Sequence, residues 1–281
     1  MELYTIETGN FMLDGGALFG VVPKTLWQKK YPVNEKNLCN LSMRSLLIVS
    51  GDRKILIDAG MGSTMDESLV KYYFPNGSDT LLGSLEKHGF SPDDITDVVL
   101  THLHFDHCGG AITHFDDGSL GMTFKNARLI VSTKQWASAL HPNRRERPSF
   151  LKNNIEPLAK SNKLDLIDTD IELIPGVSLR LFDGHTAGQI IPYVSYNNKL
   201  LIYTADLIPT AAHLPISYVC GYDVKPLLTL EETETFLNDA VKSQATLFFE
   251  HDINVVCCSL QKTEKGVAID SSFSLEEFVL L

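Results

Sequence analysis

Thr101-His102-Leu103-His104-Phe105-Asp106-His107 follows directly on the apolar run Asp97-Val98-Val99-Leu100, so four potential metal ligands leave a strand end within six residues. Regular structure cannot make all four converge. On a strand His102, His104 and Asp106 share one side while His107 points away, and on a helix His102 and His104 diverge by about 200°. A loop that turns sharply after the strand can present them together, and Gly109-Gly110 is expected to supply that freedom. Imidazole and carboxylate suit zinc, and also iron, manganese or cobalt, while the lack of clustered thiolates argues against a structural cysteine site. One catalytic ion needs only three protein ligands plus water. Four ligands here, with further histidines and aspartates downstream, point to two divalent ions about 3.5 to 4 Å apart sharing a hydroxide. The plain alternative is a solvated polar loop, but H-x-H-x-D-H beside an apolar strand is far more specific than a lone H-x-H.

Composition sets the outer bounds. The chain has 281 residues, 44% hydrophobic and 21% charged, which suits an ordinary globular protein. No Pro/Gly/Ser-rich linker or charge block divides it, so residues 1–281 read as a single domain. The net charge of -11 repels polyanions, and the longest basic stretch is Asn143-Arg144-Arg145-Glu146-Arg147, so nucleic acid is not an expected partner. Five cysteines without a C-x-x-C spacing read as free thiols in a reducing compartment. No basic patch followed by an apolar run opens the chain, and nowhere do 18 consecutive apolar residues occur. A cytoplasmic protein with no membrane partner is the expectation.

Strand-length apolar runs recur at Ser45–Ser50, Lys54–Ile57, Asp97–Leu100, Arg128–Ser132, Val177–Phe182, Leu200–Tyr203 and Thr246–Glu250. Stretches of helical period lie between several of them, at Thr80–His88, Lys134–Leu140, Asn153–Ser161 and Leu230–Gln244. The first two runs, separated only by Gly51-Asp52-Arg53, predict an antiparallel hairpin and disfavour a doubly wound parallel sheet. Two mixed sheets packed face to face with helices outside would bury such runs on both sides.

At these residues the chain resembles the metallo-β-lactamase superfamily, whose signature is H-x-H-x-D-H with three later ligands. The resemblance implies an α/β, four-layer αββα sandwich. Asp183-Gly184-His185-Thr186-Ala187-Gly188 matches the family's G-H-T-x-G turn, so His185 is expected to join His102 and His104 on one ion. Tyr203-Thr204-Ala205-Asp206 matches the segment whose Asp bridges both ions, and Phe249-Glu250-His251-Asp252 the segment bearing the last His. With Asp106 and His107 these complete the second ion, giving seven metal ligands: His102, His104, Asp106, His107, His185, Asp206 and His251. Lys54-Ile55-Leu56-Ile57-Asp58-Ala59-Gly60 matches the family's strand ending in D-x-G. Asp58 there either orients the ligand loop or simply caps a turn before Gly60.

The stretch Asp14 to Trp27, with Tyr31 to Asn37 and Asp206 to Leu214, is similar to quorum-quenching N-acyl homoserine lactonases and to the methyl parathion hydrolase branch. The resemblance implies a hydrolase that opens lactones or related esters, with Asp106 and Asp206 as catalytic carboxylates and Asp106 passing a proton to the leaving group. Residues 1–40 are expected to line the pocket. Phe19, Trp27, Phe105 and His213 are the expected substrate contacts, in sites whose walls are commonly apolar. The best-known lactonases place a tyrosine after the bridging Asp, whereas Leu207, Ile208 and Pro209 stand here, leaving His213, Tyr218 or Tyr222 as substitutes. That departure keeps a phosphotriesterase or arylesterase in view, and a thioester hydrolase of the glyoxalase II type less so. A diiron oxidoreductase would carry Glu at the position of His104. The expected partner is a small-molecule substrate, with a homodimer allowed by the resemblance.

Overall fold

In the computed structural model, which describes residues 1–280, the chain sorts into two units, residues 1–10 with 43–169 and residues 11–42 with 170 onward. Two of the crossings fall inside long strands, at residues 10/11 and 42/43, so no linker composition marks them.

The first unit takes in β1 (Glu2–Asp14), β2 (Leu38–Ser50), β3 (Arg53–Ile57), β4 (Asp97–Val99), β5 (Ile112–His114), β6 (Leu120–Met122), β7 (Arg128–Ser132) and β8 (Leu164–Ile167), with β1 and β2 running on into residues of the second. Its six-stranded sheet has the order β1-β2-β3-β4-β7-β8, and β5 pairs only with β6. The predicted hairpin is present. β2 and β3 pair antiparallel from Leu46↔Ile57 to Ser50↔Arg53, around a turn with Gly51 at φ 56°. From β3 onward the pairing is parallel. Strands in that setting are covered on both faces, which is why their sequences read as unbroken apolar runs instead of alternating. Leu56, Val98, Leu100, Leu129 and Val131 share one buried cluster with Leu85 and Leu158 from helices.

One charged residue sits in this row. Asp97 on β4 is buried, accepting from Arg53 Nε at 2.6 Å and from Arg128 Nε at 2.6 Å. Burial pushes its carboxyl up, but the hydrogen bonds from the two guanidiniums and Thr96 outweigh that and hold it below the usual carboxylate range. The pair therefore ties β3, β4 and β7 in register. Helices Leu81–Lys87 and Thr133–Leu140 start where their side-chain caps predict, with Thr80 Oγ1 accepting from Gly83 N and Ser132 Oγ from Gln135 N.

The second unit holds β9 (Ile171–Ile174), β10 (Val177–Phe182), β11 (Gln189–Tyr196), β12 (Lys199–Tyr203), β13 (Thr246–Phe248), β14 (Cys257–Thr263) and β15 (Gly266–Phe273), in a seven-stranded sheet of order β15-β14-β13-β12-β11-β10-β9. Only β12 and β13 run parallel. The helix before β13 spans Pro226–Lys242, four residues longer at its start than its apolar period suggests. Pro226 explains the extension, since its fixed φ suits the first turn and its missing N–H is not needed there. Both large sheets are mixed, as expected, and helices complete an α/β fold.

Candidate metal centre

The ligand loop bends and then coils. After β4 the chain bends at Thr101, is extended at His104 (φ -64°, ψ 152°), and makes one helical turn over Phe105–Cys108. His102 and His104, two residues apart, have ring centroids 4.4 Å from each other. The turn then brings His107 back to His102, at 3.8 Å between centroids. Asp106 lies beside His107, Oδ2 to Nε2 3.9 Å, and His102, Asp106 and His107 are all buried.

Gly109-Gly110 does not play the part expected of it. Gly109 has φ -60°, open to any residue, so conformational freedom is not the reason for it. Space is the reason. A Cβ on Gly109 would stand 1.9 Å from the Met61 carbonyl oxygen, and one on Gly110 2.0 Å from that of Ala59. The two backbones are locked by Gly110 N donating to Gly60 O at 2.9 Å and Ala59 N to His107 O at 2.8 Å.

Asp58 orients the loop and does more than cap a turn. Its Oδ1 accepts from Thr101 N at 2.7 Å, its Oδ2 from Thr101 Oγ1 at 2.6 Å, and Oδ2 also faces His107 Nδ1 at 3.1 Å. It reaches these from a left-handed backbone, φ 58°, a cost that persists where surroundings enforce it. The contacts fix two tautomers. An ionised carboxylate only accepts, so His107 carries its proton on Nδ1. Thr101 spends its proton on Asp58, so its oxygen accepts from His102 Nδ1, 3.1 Å away. Both rings thereby keep the Nε2 lone pair for a ligand.

The second unit holds the other three expected ligands, and here the carboxylate is central. Asp206 follows Ala205, another left-handed residue at φ 40°. Its Oδ2 lies 3.1 Å from His185 Nε2 and its Oδ1 3.1 Å from His251 Nε2. One oxygen thus faces each imidazole. The remaining ring nitrogens are committed elsewhere: His185 Nδ1 donates to Asp223 Oδ1 at 2.8 Å and His251 Nδ1 to the Ser42 carbonyl at 2.8 Å. The turn around His185 is held by Glu232, whose two oxygens accept from Asp183 N and Gly184 N. Asp223, Ser42 and Glu232 carry no motif that would have singled them out.

Imidazoles oriented by neighbouring side chains and backbone, interleaved with carboxylates, form a donor set that fits zinc-like divalent ions. His102 and His104 offer ligand atoms within 4.8 Å of each other, as do Asp106 and His107, and His185 and Asp206.

The expected substrate contacts fare differently. Phe19 and Trp27 are buried and stacked, centroids 4.9 Å apart, and His213 stacks on Phe19 at 4.6 Å. Both His213 nitrogens are engaged, Nδ1 with Thr210 Oγ1 at 2.8 Å and Nε2 with Leu18 O at 3.1 Å. Burial pushes its pKa down, so it sits neutral. The oxyanion-donor role expected of His213 is therefore corrected: it anchors the N-terminal segment, and the three rings form core. Phe105 is 5% exposed under Tyr73, at 4.5 Å between centroids. Burial and then the charge of Asp106 push the Tyr73 phenol up, so it keeps its proton and can donate. Tyr73 was not foreseen, since nothing in Lys71-Tyr72-Tyr73-Phe74 separates it from its neighbours. All five cysteines are free and buried, and burial pushes Cys108 up to about 12, which makes it an inert neighbour of His107. No helix among the described residues is long and apolar enough to cross a membrane.

A sequence profile of the metallo-beta-lactamase superfamily matches residues 44–259. The chain belongs to the metallo-β-lactamase superfamily. It is 26% identical over 264 residues to the N-acyl homoserine lactonase AiiA of Bacillus thuringiensis subsp. kurstaki, covering 90% of this chain and 93% of that one. Its fold is shared with a probable metal-dependent hydrolase from Staphylococcus aureus, with a TM-score of 0.89 and 30% identity over 97% of this chain and 96% of that one. It is also similar to an N-acyl homoserine lactone hydrolase solved with the product N-hexanoyl-L-homoserine at its catalytic metal centre, with a TM-score of 0.70 and 26% identity over 89% and 93% of the two chains. The fold expected from the motif is the superfamily's own, and this member is a hydrolase with histidine and aspartate groups suited to metal.

Proposed function

We propose that this superfamily member is a dinuclear metal hydrolase that opens lactones such as N-acyl homoserine lactones, or cleaves related carboxylic esters. His102, His104, Asp106, His107, His185, Asp206 and His251 serve as the ligands, with zinc as the ion their chemistry suits best and iron, manganese or cobalt as acceptable substitutes. The observation that carries the reading is Asp206, one carboxylate oxygen on each of two imidazoles whose other nitrogens are already tied down. Two divalent ions bound by this set would polarise the scissile carbonyl and bring the pKa of water towards about 7.

The chain's own residues supply the rest. Asp58 and Asp223 hold His107 and His185 in the ligand tautomer. Asp106 moves a proton to the departing ring oxygen. Tyr73, protonated beside Asp106, donates to the substrate oxygen in place of the tyrosine missing after Asp206. The same absence, with Leu207-Ile208-Pro209 standing where that tyrosine would be, supports a second reading, a phosphotriesterase or arylesterase. The substrate is a small molecule met in the cytoplasm, and a homodimer is the proposed assembly.

A panel of acyl homoserine lactones, aryl esters, a parathion-like triester and thioesters, run on zinc-loaded protein with Asp206→Ala as the blank, tests this. Lactone opening that disappears in the blank supports the first reading. p-Nitrophenolate release from the triester with inert lactones moves the assignment to the second, and inertness towards the whole panel removes both.

A further inference from the structure

His102, His107, His185 and His251 each meet a hydrogen-bond partner at Nδ1, whereas His104 meets a carboxylate at its other ring nitrogen. Its Nε2 faces Glu146 Oε1 at 3.3 Å, with both side chains buried. Glu146 lies 42 residues downstream, in the short basic stretch Asn143–Arg147. Its 5% exposure is unusual for a glutamate between two arginines.

The local structure accounts for the burial. Asn143 Oδ1 accepts from Arg145 N and Glu146 N, both at 2.9 Å, which folds the stretch into a tight turn. Asn143 Nδ2 then donates to Glu146 Oε2 at 2.9 Å, aiming the other oxygen at His104. The ring is set from a further side by Phe150, edge-on at 5.3 Å.

We infer that Glu146 is a positioning residue for the metal centre, holding the His104 proton on Nε2 and so committing Nδ1 as the ligand atom. A carboxylate accepts only, so its place beside Nε2 selects the tautomer opposite to that of His102, His107, His185 and His251. His102 and His104 stand two residues apart with ring centroids 4.4 Å from each other, and each offers a ligand atom within 4.8 Å of the other's. The inference rests on the proposed metal-binding role of His104.

The test uses metal-free protein labelled with 15N in its histidines, observed by long-range 1H–15N correlation. Wild type is expected to show His104 protonated on Nε2, Glu146→Gln to preserve that pattern through its amide oxygen, and Glu146→Leu to lose it. In zinc competition against a chelator, Glu146→Leu is expected to weaken uptake by about 10- to 100-fold, with most of the loss recovered in Glu146→Gln. Should Glu146→Leu not fold, Asn143→Ala loosens the same carboxylate and should give a smaller change in the same direction. An unchanged His104 tautomer in Glu146→Leu, or in Asn143→Ala where that stands in, overturns the inference, as does equal loss of zinc in the Leu and Gln variants. Failure of wild type to take up zinc would instead remove the metal reading, while the tautomer measurement would still decide the part played by Glu146.

Discussion

The ligand loop after β4 and the trio His185, Asp206, His251 reach similar chemistry by opposite routes. The loop packs four donors into six residues, and one aspartate, Asp58, orients its backbone through Thr101 and one of its rings directly. The trio draws its donors from three segments: Asp223 holds His185, the Ser42 carbonyl holds His251, and Asp206 faces both imidazoles with one oxygen each. A contiguous site can be fixed by one hub. A dispersed one needs a partner for every donor and relies on the sheet to bring them together.

The comparison breaks most visibly at Asp206. Asp206→Ala removes the carboxylate facing both imidazoles and should lower kcat/KM about a thousandfold, measured on the best substrate of the panel. In the loop, crowding is the weak point. Gly110→Ala sets a methyl 2.0 Å from the Ala59 carbonyl and should cost about 3 kcal/mol, a fall of roughly 10 °C in Tm by calorimetry.

Orienting residues sharpen the contrast. Asp58→Asn and Asp223→Asn should each weaken zinc about 10- to 100-fold against a chelator, and Asp58→Asn more, because Asp58 serves three donors and Asp223 one imidazole. Equal losses would deny the hub. Away from both sites, burial holds the His213 pKa below its unfolded value, so the unfolded chain binds the extra proton more readily. The stability this gives is therefore present above about pH 6.5 and drains as pH falls below it. A buried aromatic replacement, His213→Phe, should flatten that part of the urea-stability profile. The smallest effect is expected from Tyr73→Phe, which removes one donor and should lower kcat about fivefold with the metal content unchanged.

The same contrast explains what the sequence disclosed. His102 to His107 is legible because ligands, strand and glycines are adjacent, and the hairpin at Ser45–Ile57 because its apolar pattern is continuous. His185, Asp206 and His251 became legible only through their order after that motif. β14 and β15 passed unnoticed because their outer residues, such as Gln261 and Lys262, are polar and exposed. Asp223 and Glu146 stayed hidden for a different reason: an aspartate or glutamate that orients an imidazole looks like any other until tertiary structure brings the two together. The reading of Phe19, Trp27 and His213 went astray because an aromatic row in sequence cannot distinguish a pocket wall from a stack with its polar atoms satisfied internally.

Seven named side chains are proposed to hold two divalent ions. Crystals of zinc-loaded protein, measured above and below the zinc absorption edge, test it most directly. Two anomalous peaks per chain, flanking Asp206 and ligated by the five histidines and Asp106, are the predicted result. A single peak, or zinc bound away from Asp206, would contradict it.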